Sequence, residues 1–195
     1  MPIDPKKKLS DEELEAVLLH KFIIRGAWQE YHIYESDVPK GFPPHVRNDI
    51  MKAAKELKIP VYVTEQYPKG LGKTIPELNV ELSGATIFEK MTFSSAQVSA
   101  LIDDLKKKNI SNVIVVGMEA HVCVSQSALD LLEFGFKVFV LADACCSQRI
   151  LDYECALERL RSEEIIITTT EAAIFEMLYS ADTPEFRTLR NIFKE

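Results

Sequence analysis

Polar and apolar positions along this chain fall into two kinds of block. One kind is a short continuous apolar run rich in β-branched residues. The other is a longer stretch whose apolar positions recur with a helical period. Ala16–Ile24 (AVLLHKFII) predicts a first strand, entered after Ser10 and the acids Asp11–Glu13. Val46–Leu57 puts Val46, Ile50, Ala53, Ala54 and Leu57 on one stripe and predicts a helix. Ile59–Thr64 (IPVYVT) predicts a second strand, followed by a Pro- and Gly-rich loop over Glu65–Ser83 and a third strand at Thr86–Glu89. Ser94 or Ser95 can cap a helix reaching Lys108, with Val98, Leu101, Ile102 and Leu105 inward. Asn112–Val116 (NVIVV) shows no alternation and predicts a strand buried on both faces. The remaining expectations are a helix over Val122–Phe134, a strand over Lys137–Leu141, a helix over Asp152–Arg161 and a strand over Glu164–Thr168. A helical region over Glu171–Lys194, broken at Pro184, ends the chain. Six strands alternating with helices predict a three-layer α/β/α, Rossmann-like fold with a six-stranded parallel sheet. No repeat or linker divides residues 1–195, so the reading is one domain, with residues 1–13 a loosely ordered N-terminal segment. Such sheets bind ligands at the carboxyl ends of their strands, near the point where the winding reverses. The loops after strands one, three and four are therefore where chemistry is expected.

Composition narrows the class. The 195 residues are 47% hydrophobic, too apolar for a disordered chain, and carry 23 basic against 30 acidic residues for a net charge of −7. An acidic chain lacks the lysine and arginine excess on which non-specific phosphate binding rests, so nucleic acid and anionic membranes are not expected partners. Lys6–Lys8 and Lys106–Lys108 are too short to change this and read as solvated edges. The first twenty residues lack a signal-peptide apolar stretch, and no apolar run is long enough to span a membrane. Four cysteines without paired ligand spacing, Cys123, Cys145, Cys146 and Cys155, fit a reducing, intracellular location, cytoplasmic or mitochondrial, and predict no zinc site.

The candidate chemistry is local. Lys69–Thr74 (KGLGKT) superficially resembles a phosphate-binding loop, but Tyr67 stands where the motif needs its first glycine and Pro76 interrupts the required helix. Gly70 and Gly72 are better read as residues that let a long loop turn tightly, a candidate lid over a site. The stronger signal is VVGMEAHVCV (Val115–Val124), a buried strand that turns after Gly117 and opens a helix near Cys123. A thiol in the first turn of a helix sits near free N–H groups and the positive end of the dipole, which favour thiolate and can hold an oxyanion. Read as packing, Cys123 is a small buried residue and His121 a capping or exposed one. Lys90, after the third strand, could counter negative charge in a cleft or be an ordinary solvated lysine. Glu30, Glu65, Glu89 and Glu119 are acids the sequence does not rank as bases.

VVGMEAHVCVSQSALDLLEFGFKVFVLADACCSQR, together with TEQYPKGLGKTIPEL and FEKMTFS, resembles the isochorismatase-like cysteine hydrolases, in particular their isochorismatase-domain-containing subgroup. The resemblance runs in register from about residue 16 to the C-terminal helix. It implies a six-stranded parallel sheet, assembly as a homodimer or homotetramer, a small-molecule substrate, and an Asp–Lys–Cys triad acting on amide or related C–N bonds, or on a vinyl ether. Carried over by position, Cys123 is the nucleophile and Lys90 the triad lysine. Met118–Glu119 is the place of a non-proline cis peptide, and the amides of Ala120 and Cys123 form an oxyanion hole. Glu30, Glu65, Gln66, Tyr67 and His121 are candidates to line the substrate pocket. The first strand departs from the pattern. Relatives read aliphatic-Cys-Asp-aliphatic-Gln-Glu where this chain reads Ile24–Arg25–Gly26–Ala27–Trp28–Gln29–Glu30, so Ala27 stands at the position of the catalytic Asp. Losing a general base typically costs about 10²–10⁴-fold, so weak or altered turnover is expected. The Asp-x-His-x-His pattern of metal-binding relatives is also missing, since Thr64–Glu65–Gln66–Tyr67 follows strand two, and neither a metal nor another cofactor is expected. Three alternatives remain open. Glu30, Glu119 or His121 could replace the acid; the protein could be a non-catalytic scaffold or interaction protein; or it could have a nucleic-acid-associated, ribonuclease-type activity. The other three cysteines read as packing residues.

Overall fold

The computed structural model describes residues 21–26, 44–74 and 84–193, and the side chains of 49–74 and 84–193. The expected strand start at residues 16–20, the N-terminal segment 1–13, Ala27 and Glu30 lie outside the described residues. The described strands are β1 (Lys21–Gly26), β2 (Val61–Gln66), β3 (Thr86–Lys90), β4 (Asn112–Met118), β5 (Lys137–Cys146) and β6 (Ile166–Thr168). They pair in parallel in the order β3-β2-β1-β4-β5-β6. The winding therefore reverses between β1 and β4, and the carboxyl ends of those two strands flank the expected ligand crevice.

Alternation along the inner strands sends side chains to two separate cores. Tyr62, Val113, Val115, Val138 and Val140 pack on one face, against α2 (Ser99–Lys107), α3 (Ser125–Glu133) and α4 (Ile150–Ser162). Val63, Ile114, Val116, Phe139 and Leu141 pack on the other, against α1 (Pro44–Glu56), α5 (Thr170–Leu178) and α6 (Pro184–Leu189). Two buried faces explain why β4 reads as an unbroken apolar run. Of the predicted stripes, Ile50, Ala53, Ala54 and Leu57 are buried, as are Leu101, Ile102 and Leu105. No described helix is long and apolar enough to cross a membrane.

Several boundaries differ from the sequence reading, each for a local reason. β2 starts later because Ile59 N–H still closes the end of α1 on the Ala54 carbonyl, and it continues to Gln66 because Glu65 and Gln66 pair with Glu89 and Lys90. Those two residues thus sit on a strand, not in a loop. Before α2, Ser95–Gln97 forms a separate 3₁₀ turn, capped by the Ser94 hydroxyl accepting from Ala96 N–H. β6 starts later because Glu163 and Ile165 N–H both return to the Leu160 carbonyl, with Glu164 left-handed at φ 64°. β5 runs five residues beyond Leu141. Its register against β4 jumps from Val115↔Val140 to Gly117↔Cys145, so the chain bulges at Leu141–Ala144 before pairing resumes beside Met118. Cys145 and Cys146 are free thiols buried there, but Cys155 is exposed on α4 and is not the packing residue expected.

The bulge has a polar purpose. Asp143 accepts from Thr170 N–H at 2.8 and 3.0 Å and from its hydroxyl at 2.9 Å, tying β5 to the start of α5. Thr170 is buried, so truncating Asp143 strands two donors. Asp143→Ala is expected to lower unfolding free energy by about 1–3 kcal/mol, read as a drop in the urea midpoint at unchanged m-value; an unchanged midpoint would show the contact to be neutral.

Candidate functional site

Lys90 ends the edge strand β3, and its side chain turns inward rather than to solvent, leaving the residue 6% exposed. A lysine ammonium carries three donors and no acceptor. Here it reaches Gln66 Oε1 at 2.7 Å, the Phe93 carbonyl at 2.8 Å, the Thr92 carbonyl at 3.0 Å and Cys123 Sγ at 3.8 Å. The chain after β3 is folded around this cation. Gln66 Nε2 donates to the Met91 carbonyl, Thr92 Oγ1 donates to the Ser94 carbonyl, and Tyr67 N–H donates to the Lys90 carbonyl. Burial pushes the Lys90 pKa below its ordinary value, and attraction to the Cys123 sulfur opposes that shift.

Cys123 arrives from β4. The peptide Met118–Glu119 is cis, and Gly117 before it has φ 126°, a conformation that suits only glycine. Residues Ala120–Val124 then form one wide π turn, and α3 starts only at Ser125, later than the predicted helix start at Val122. The widening has visible partners. Val122 and Val124 N–H both donate to the Glu119 carbonyl, and the Ser125 hydroxyl donates to the Ala120 carbonyl at 2.6 Å. Cys123 is partly exposed on this turn, and its hydrogen-bonding partner among the described residues is Lys90.

The other pocket candidates separate. Gln66 belongs to the site, because it holds Lys90. Glu65 is buried but turned to Thr74, whose N–H and hydroxyl both donate to its Oε1 at 2.8 Å. Tyr67 is exposed in a left-handed conformation before the single helical turn Pro68–Leu71. Its ring lies on Gly70, where a Cβ would fall 2.1 Å from a ring carbon. That glycine is needed for a tyrosine contact, not for a phosphate. His121 Nδ1 lies 3.0 Å from Ser147 Oγ and 3.8 Å from Glu119 Oε2, which itself accepts from Gln148 N–H. Glu119 and His121 thus clasp the turn that carries Cys123 to the chain after β5. The sequence reading passed over Thr92 and Phe93, since carbonyl ligands leave no side-chain signature. Among the described residues, no three His, Cys, Asp or Glu side chains gather as a metal site.

Comparison with known proteins gives a consistent picture. Residues 45–172 match the isochorismatase domain. Isochorismatase domain-containing protein 1 of Danio rerio is 39% identical over 150 residues, covering 74% of this chain and 51% of the relative. The chain thus spans about half the length of that relative and of its counterpart in Salmo salar. The solved structure of the MAR1 ribonuclease of Caenorhabditis elegans superposes with a TM-score of 0.80 at 36% identity, covering 91% of each chain. The YcaC gene product of Escherichia coli, described as an octameric hydrolase of unknown specificity, shares the fold at a TM-score of 0.79 and 20% identity over 91% of this chain and 89% of its own. By its domain match and these relatives, this chain belongs to the isochorismatase family.

Proposed function

We propose that this protein is a cysteine hydrolase of small acyl compounds, amides or related C–N substrates, with Cys123 as nucleophile and Lys90 as its charge partner. The observation that carries this reading is the buried Lys90 ammonium 3.8 Å from Cys123 Sγ, at the end of the sheet where parallel folds bind ligands. A cation beside a thiol favours the thiolate, the form that attacks carbonyl carbon. The amides of Ala120 and Cys123, on the turn that presents the sulfur, are the groups assigned to the developing oxyanion. Gln66, Thr92 and Phe93 hold the ammonium in place so that it need not reorganise as charge moves. Ala27 supplies no acid at the residue following β1, so turnover is slow. The reading carries with it a homodimer or homotetramer inside the cell, by analogy with the family.

RNA cleavage, raised by the name of the C. elegans relative, would need cationic groups to neutralise phosphate, and this chain has an acidic excess. The test is a panel of small amides, ureas, nicotinamide and simple esters, with a single-stranded RNA as a further arm. Slow hydrolysis of acyl substrates that vanishes in Cys123→Ser is the expected result. Rates that are zero throughout, or unaffected by that substitution, would remove the reading, and Cys123-dependent cleavage of the RNA alone would replace it.

A further inference from the structure

A polar residue in the core-facing stripe of a helix needs a partner, and α3 carries one beside the site. Val124, at the end of the π turn, and Ser127, Ala128 and Leu131 recur at helical spacing, and all four are buried. Ser127 is the polar member of that stripe, and its Oγ accepts from the Ser95 N–H at 2.7 Å. The Ser95 hydroxyl lies 2.9 Å from Thr64 Oγ1 on β2, and Ser95 and Thr64 are buried as well. Ser95 thus joins the helix after Cys123 to the strand that carries Gln66, two residues beyond Thr64.

These contacts close a short circuit around the Cys123–Lys90 pair. Lys90 Nζ donates to the Phe93 carbonyl at 2.8 Å, and Ser95 follows two residues later with its N–H on Ser127. One helical turn back from Ser127 is Cys123, whose Sγ lies 3.8 Å from Nζ. We propose that Ser127 and Thr64 are positioning residues for this pair, setting through Ser95 the separation between the carbonyls that hold the ammonium and the turn that presents the sulfur. The inference rests on the assignment of Cys123 and Lys90 as partners and adds two residues that act through them. A buried N–H left without an acceptor is costly, so loss of the Ser127 oxygen drives the Ser95 turn toward another partner. The Thr92 and Phe93 carbonyls move with it, and an ammonium drawn away from the sulfur supports less thiolate. A second tie between the same turn and α3, from Gln97 Nε2 to Asp130 Oδ2 at 2.8 Å, is exposed, so water can replace either partner there.

The test is the pH profile of iodoacetamide alkylation at Cys123, followed by mass spectrometry of the Cys123 peptide well below the unfolding midpoint. Ser127→Ala is expected to raise the inflection by about 0.5–1 pH unit, slowing the reaction at pH 7 by about 3- to 10-fold while the alkaline plateau is kept. Ser127→Thr retains the oxygen and should stay within about twofold of wild type. Thr64→Val keeps the shape and loses the hydroxyl; it should move the inflection in the same direction, whereas Thr64→Ser should not. Gln97→Ala should leave the profile in place. In a Lys90→Ala background, Ser127→Ala should add no further shift, because its action runs through the ammonium. An unmoved inflection in folded Ser127→Ala, or in Thr64→Val where Ser127→Ala does not fold, overturns the inference. So does a lowered plateau alone, a Ser127→Thr profile like that of Ser127→Ala, a Gln97→Ala shift of equal size, or a Ser127 effect that persists without Lys90. The two readings fail separately. A profile unmoved by Lys90→Ala removes the pair and this inference with it, whereas a shift in Lys90→Ala with none in Ser127→Ala removes this inference alone.

Discussion

Lys90→Ala is expected to slow alkylation of Cys123 by iodoacetamide at pH 7 by about 10- to 100-fold, with ethylammonium added to the buffer restoring part of the rate. Unit charges 3.8 Å apart attract by about 4 kcal/mol at an effective dielectric constant near 20. Partial exposure of the sulfur lets water take over some of that when the ammonium is gone, and a 10- to 100-fold effect corresponds to about 1.4–2.8 kcal/mol. Added ethylammonium distinguishes charge from structure, since a cation of that shape can occupy the space of the deleted stem and reach the same three oxygens. Equal alkylation rates in the two proteins, or a loss that no amine repairs in a folded variant, would sink the role given to Lys90. The same substitution has a signature in stability. Because burial lowers the folded-state pKa of Lys90, the unfolded chain binds more protons between that lowered value and the ordinary one at 10.5. Stability from this group therefore rises with pH through that window and is opposed by the buried charge below it. Lys90→Ala should flatten this rise in urea titrations at successive pH values, and an unaltered slope would place the ammonium in contact with solvent.

How far the sequence anticipates all this depends on what kind of group does the work. The parallel α/β arrangement was legible because β4 and β5 are buried on both faces and leave continuous apolar runs such as Asn112–Val116. Cys123 and Lys90 were legible as residues because the segments around them resemble a family; their juxtaposition is a tertiary fact, 33 positions apart in the chain. Where backbone makes the contact, nothing in the sequence marks it. The carbonyls of Thr92 and Phe93 bind the ammonium whatever their side chains are, and both residues were passed over. The continuation of β5 was hidden for another reason. Asp143 interrupts the apolar run as a loop residue would, but its carboxylate is satisfied by α5, so the strand resumes behind it and packs Cys145 and Cys146. Similarly, Gln66 looked like part of a Pro- and Gly-rich loop until pairing with Lys90 extended the strand through it.

The contrast between two leucines of α4 is the sharpest check on the packing. Leu160 is 0% exposed within the core shared by β4, β5, α2 and α3, while Leu151, on the first turn of the same helix, is 65% exposed. Helix propensity favours alanine slightly over leucine at either site, so a difference between the two substitutions reports burial alone. Leu160→Ala removes three buried carbons from a position in the same cluster as Leu157 and Ile165, and the close packing of that core limits collapse into the space. Its expected cost is about 2–5 kcal/mol, equivalent in a protein of this size to roughly 2–4 °C of Tm for each kcal/mol. Leu151→Ala should stay within about 0.5 kcal/mol of wild type. Equal losses at the two positions would mean that Leu151 is covered by something in solution, and negligible losses at both would mean that the α4 face of the sheet is not the packed core described here. The Leu160 variant bears on the site as well, because α4 packs against the turn that presents Cys123. If that turn is held by α4, Leu160→Ala will also lower the Cys123 alkylation rate at temperatures well below its midpoint, whereas Leu151→Ala will leave it unchanged.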